Sequence, residues 1–288
     1  MSEAALLGAY SIALVLFSLV GGSLPQRLEM NHTRTQLVMS LVSGLMLGIA
    51  FFHLLPHALE MSPGVLSLGA VMAWAMLGLV AMLLLLRLFH FHQGDYHPGE
   101  SCGAPEGVVT PAAVRAVNPG WQGVLSGLAL HTVIDGVALA AALLGEFHGH
   151  RELLPGFGVF LAILLHKPLD AMSISALMQA GHAGRGRMRA ANLLFALLCP
   201  AGALLFWLYA GSGAPQGTAL ISGALAFSGG AFICIALSDL LPEVQFHSHD
   251  RVKLSAAFLS GIALALLLAG TEGGHRHDLP AAERQEPA

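Results

Sequence analysis

Eight apolar runs of membrane length alternate with polar connections along the chain, at about 4–20, 36–59, 65–89, 121–144, 157–180, 190–210, 219–241 and 254–270. A helix needs roughly 20 apolar residues to cross a bilayer, so each run predicts one spanning helix. The expected fold class is an all-α membrane protein, a single polytopic domain over 1–288. Two segments break the pattern. Residues 90–119 hold His90, His92, His97 and Cys102 among Gly, Pro and acidic residues with no apolar periodicity, which predicts a mobile His-containing loop; 271–288 reads as a polar tail. The first run lacks a basic leader and a small-residue cleavage site, and is read as a retained span rather than a signal peptide.

Composition agrees with the pattern. Hydrophobic residues make up 55% of the chain and charged ones 10%, against about 25% charged in an ordinary soluble domain. Arg27, Arg34, Arg87, Arg115, Arg185, Arg187, Arg189, Arg251 and Lys253 fall in the connections after spans 1, 3, 5 and 7, whereas Arg151, Arg276 and Arg284 fall on the opposite side. The positive-inside rule then places both termini outside the cytoplasm and the 90–119 loop in the cytosol. A net charge of −4 spread over short loops gives no reason to expect nucleic acid. Cys102, Cys199 and Cys234 are far apart, so neither a disulfide framework nor a thiolate zinc site is expected.

Candidate chemistry lies in the ionisable residues inside the apolar runs. Span 4 carries His131 and Asp135, and span 5 carries His166 and Asp170. Residues four apart share one face of a helix, so each span offers an imidazole beside a carboxylate, and two such helices facing each other make a four-ligand cage. Such groups are costly inside a membrane and mark transport pathways by default. Lys167 adjoins the cage, where its ammonium would repel a second cation, so one metal is expected. Pro168 removes a helical hydrogen bond between the two span 5 ligands. Span 2 adds His53, read as either a packing or a pathway residue, with His57 and Glu60 nearer the headgroups; span 7 adds Asp239 and Glu243. The connection after span 4, with Glu146, His148, His150 and Glu152, reads as either a cation-attracting entrance or a solvated turn.

Spans 2 and 7 also align with each other without gaps. Gly44 falls on Gly230, Ala50 on Ala236, His53 on Asp239, Leu54-Leu55-Pro56 on Leu240-Leu241-Pro242, and His57 on Glu243. The two spans run in opposite directions, so the halves form an inverted repeat, the arrangement of secondary transporters that bind substrate near the midplane. Two imidazoles and two carboxylates suit zinc and its divalent neighbours better than magnesium or calcium. Zn2+ is therefore the expected transported substrate, with Cd2+, Fe2+ and Mn2+ as alternatives and no organic cofactor. A competing reading is an intramembrane zinc hydrolase of amide or lipid substrates holding the metal with the same residues, although the chain has no H-E-x-x-H and no evident acid or base in the cage.

H-L-L-P in span 2, H-x-x-x-D-G in span 4, H-K-P-L-D in span 5 and D-L-L-P-E in span 7 together resemble the ZIP (Zrt/Irt-like) family of divalent-metal transporters. The resemblance implies eight helices with helices 4 and 5 lining the metal path, extracytoplasmic termini, a His-rich cytosolic loop, homodimers among the membrane lipids, and uptake into the cytoplasm by alternating access. It makes His131, Asp135, His166 and Asp170 the metal ligands. Thr132 stands where many members have a metal-binding asparagine, and Lys167 where members with two metals have a carboxylate; both departures favour a single metal. Pro168 stands one residue earlier than the usual proline. The expected location is a bacterial inner (plasma) membrane.

Overall fold

The computed structural model describes residues 2–23, 32–89, 121–148, 154–211, 217–237 and 251–272. These form eight helices, each long and apolar enough to cross a membrane, with no strand among the described residues. They are α1 (Glu3–Ser23), α2 (32–60), α3 (Leu68–Phe89), α4 (Trp121–His148), α5 (Phe157–Ala180), α6 (Arg185–Ala210), α7 (Gly217–Ile235) and α8 (Arg251–Glu272). Several boundaries differ from the sequence reading, three of them with a bearing on the site or its surroundings. α3 starts late because Gly64, with φ of 76°, belongs to the turn before it. α6 starts early, so Arg185, Arg187 and Arg189 occupy its exposed first turns rather than a loop. α4 continues past Leu144 to His148, which takes Glu146 into the helix.

Two groups of helices make up the bundle. In one, α2 packs on α8 and α3 on α7; in the other, α1 packs on α5 and α6, and α4 on α5 and α6. The groups meet where α7 and α3 touch α4 and where α2 touches α5. Burial follows this plan: 72% of the apolar window of α4 is buried, against 17% for α3 and α8. The apolar outer faces of α3 and α8, including Leu77, Leu84, Leu259 and Leu267, are exposed, as lipid-facing side chains are.

Glycine crossings show that the inverted repeat extends well beyond spans 2 and 7. Where α2 crosses α8, a Cβ on Gly44 would strike the Phe258 carbonyl, and one on Gly261 the Leu41 carbonyl. Where α7 crosses α3, Gly230 meets the Ala75 carbonyl and Gly78 that of Phe227 in the same way. The step in numbering that carries Gly44 to Gly230 also carries Leu41 to Phe227, and one further step carries both Ala75 to Phe258 and Gly78 to Gly261. In the second group, Gly21 of α1 lies against the backbone of Pro168 in α5, and Gly202 of α6 against that of Val133 in α4. The shift that carries His131 to His166 carries Val133 to Pro168. Close backbone approach through small residues is how membrane helices gain packing energy, and the approaches just described each have a counterpart.

The repeat also has a local signature. α2 is α-helical over His32–Ile49, widens into a π-helical turn at Ala50–Leu54, and closes as an α-helix over Leu55–Glu60. A π-helical turn opens at Ala236, the counterpart of Ala50, as the described part of α7 ends. Such turns interrupt α-helices most often at functional positions.

Candidate metal centre

The helical repeat places His131 and Asp135 on one face of α4, and His166 and Asp170 on one face of α5. These faces meet in the middle of the bundle, and one donor atom from each of the four residues lies within 4.8 Å of all the others. His131 Nε2 is 3.5 Å from Asp135 Oδ2 and 3.6 Å from Asp170 Oδ2; His166 Nε2 is 3.4 Å and 3.9 Å from the same two atoms. A tetrahedral site with bonds of roughly 2.0–2.2 Å has edges of about 3.3–3.6 Å. Three of these edges fall in that range and the fourth is slightly wide.

Hydrogen bonding sets which atoms face inwards. His166 Nδ1 is 2.8 Å from the Ala162 carbonyl oxygen. A carbonyl can only accept, so Nδ1 donates, and the neutral ring is left with a lone pair on Nε2. That lone pair points at a carboxylate oxygen, an arrangement favourable only with a cation or proton between them. His131 Nδ1, Asp135 Oδ1 and Asp170 Oδ2 are buried with no hydrogen-bond partner among the described residues. Orphaned polar atoms of this kind call for an explanation such as an ion, and the donor set of two nitrogens and two oxygens fits zinc. Asp135 is fully buried, whereas the Asp170 side chain is 14% exposed and forms the open side of the cluster.

Lys167 forms part of the cluster wall rather than merely adjoining it. Its Nζ donates to Asp135 Oδ2 at 2.7 Å and to Thr132 Oγ1 at 2.8 Å, and stands 3.8 Å from Asp170 Oδ2. The Thr132 hydroxyl in turn donates to the Leu128 carbonyl at 2.6 Å. The Phe195 ring lies 5.0 Å from the ammonium, within cation–π range. Sequence spacing could not reveal this contact, because positions 166 and 167 point about 100° apart on a helix.

His53 and Glu146 form a second polar contact, roughly 16 Å further along α4 at 1.5 Å per residue. His53, in the π-helical turn, lies 2.8 Å through Nε2 from Glu146 Oε1, and the two side chains are 3% and 1% exposed. Glu146 Oε2 also accepts the Gly156 N–H at the entry to α5, and His57 stacks on His53 with centroids 5.2 Å apart. Glu146 is thus neither a solvated turn nor an exposed entrance. It ties α2, α4 and the α4–α5 connection together. Replacing it with alanine would remove the carboxylate that the buried His53 ring and the Gly156 N–H share, and breaking a buried pair costs about 3–5 kcal/mol. Glu146→Ala should therefore melt well below wild type in detergent, with Glu146→Gln in between. Equal melting temperatures would mean that the pair adds no stability.

Asp239 and Glu243 lie outside the described residues, as do the side chains of His148, His150 and Glu152 and the 90–119 loop. Asn192 of α6 covers Gly22 and places its Nδ2 3.4 Å from the Leu19 carbonyl oxygen.

Residues 112–269 match a protein family described as ZIP Zinc transporter. Zinc transporter ZIP9-A of Xenopus laevis is 28% identical over 96% of this chain and 100% of its own length. Zinc transporter ZIP9-B of the same organism is 32% identical over 70% of this chain and 64% of its own length. Zinc transporter ZIP1 of Homo sapiens is 29% identical over 61% of this chain and 49% of its own length.

Proposed function

The chain belongs to the ZIP zinc transporter family, and from that membership we propose that it carries Zn2+ across the membrane into the cytoplasm by alternating access through His131, Asp135, His166 and Asp170. The convergence of four nitrogen and oxygen donors inside a membrane-spanning bundle carries this reading. Two carboxylates neutralise a dication where water is scarce, and the absence of thiolate suits a site that must release its cargo. One metal binds per cycle, because the ammonium of Lys167 already occupies the flank of Asp135. Cd2+, Fe2+ and Mn2+ are alternative cargoes. His53, His57, Asp239 and Glu243 belong to the pathway on either side, and Thr132 acts behind the site through Lys167.

The inward direction is taken from the resemblance to ZIP carriers, while the asymmetry of basic residues between the loops supports both termini lying outside the cytoplasm, in what we read as a bacterial inner membrane. The protein works there as a homodimer. The relatives are named as transporters, and no residue in the cluster favours the intramembrane hydrolase over them.

Purified protein reconstituted in liposomes tests the proposal. Wild type should accumulate zinc and cadmium, and His166→Ala/Asp170→Ala should not. Metal binding without flux in wild type would refute the carrier.

A further inference from the structure

The same carboxylate oxygen that faces both imidazoles is already held by a cation. Asp135 Oδ2 lies 3.4 Å from His166 Nε2 and 3.5 Å from His131 Nε2, yet only 2.7 Å from Lys167 Nζ. The lysine side chain is 1% exposed, and its partners are fixed in turn. The Thr132 hydroxyl gives its proton to the Leu128 carbonyl and so offers only lone pairs to the ammonium; the Phe195 ring closes another side. A carboxylate oxygen has two lone pairs, so Asp135 can hold the ammonium and a metal together.

Lys167 therefore alters the charge of the cluster in both halves of a transport cycle. With neutral imidazoles and both carboxylates ionised, the empty cluster with its lysine carries one net negative charge, and the loaded cluster one net positive charge. Without the lysine, the empty cluster would carry two negative charges and the loaded one none. The cost of placing charge in a low-dielectric medium grows with its square, so the doubly charged empty cluster would be about four times as costly as a singly charged one. A carrier lacking the lysine would move readily when loaded and stall when empty.

Resting on the carrier reading above, we propose that Lys167 is a tethered counter-cation that allows the empty carrier to return, and that Thr132 positions it. It acts through Asp135 and does not ligate the metal. Net uptake requires the empty return step, whereas exchange of labelled for unlabelled zinc does not.

Both fluxes are read in proteoliposomes, as zinc uptake into metal-free vesicles and as exchange of labelled external zinc against zinc loaded inside. In Lys167→Met the ratio of exchange to net uptake should rise roughly tenfold or more, and Lys167→Arg should restore it. Thr132→Val removes one acceptor of the ammonium and should move the ratio the same way by less, which keeps the test available if the methionine variant folds poorly. An unchanged ratio, whether the two fluxes fall together or stay as they are, would overturn the inference while leaving the carrier standing. A wild-type protein that performs neither flux would bring down the carrier reading and this inference with it.

Discussion

Asp170→Ala is expected to abolish zinc uptake in a protein that still folds and inserts. Asp170 supplies one of four converging donors and half of the carboxylate charge. Loss of an outer partner of a metal site typically costs 10–100-fold in affinity or activity, so loss of a ligand should reduce uptake by more than about 100-fold. Folding should survive, because the side chain is 14% exposed and stands 3.8 Å from Lys167 Nζ, too far to leave that ammonium without a hydrogen bond. Metal flux in liposomes, set beside the elution profile and melting temperature of the same preparation, provides the check. Full uptake by correctly inserted Asp170→Ala would remove Asp170 from the site.

Asp135→Ala should behave differently although it occupies the equivalent place in the repeat. Asp135 is fully buried and its Oδ2 accepts from the lysine. Removing it strands a buried ammonium, and breaking one side of such a pair costs about 3–5 kcal/mol. The variant should lose both transport and stability. Adding Lys167→Met should return most of the stability, since replacing both partners with apolar groups is often neutral, while uptake stays abolished. Melting temperatures of wild type, the two single variants and the double variant separate these effects. A double variant no more stable than Asp135→Ala would show that the stability of Asp135 does not depend on Lys167.

The contrast between the two aspartates shows what the sequence could and could not disclose. The grouping of His131 with Asp135, and of His166 with Asp170, follows from the helical repeat alone, and eight apolar runs were enough to count the helices. The lysine contact depends on how α4 and α5 face each other, which spacing along one helix does not contain. Glu146 was misjudged because the apolar run ends at Leu144 and glycine follows; the helix continues because His53 and the Gly156 N–H, distant in sequence, satisfy the carboxylate. The repeat was legible only where motifs survive. Gly44 and Gly230 lie within matching sequence, but the match of α3 to α8 rests on which backbones touch at Gly78 and Gly261.

On the alternating-access reading proposed above, the glycine crossings that recur in the other half would let a structure open to one side become one open to the other by exchanging the conformations of the two halves. Contacts broken on one face would be remade by their counterparts on the opposite face, and to a first approximation the two forms would be isoenergetic. What tilts that balance is the imperfection of the repeat: Leu41 against Phe227, Ala75 against Phe258, and Val133 against Pro168. The resting orientation would then be a property of the mismatched positions, and exchanging residues within the first two pairs, which lie on helices other than α4 and α5, would bias it without touching the metal site.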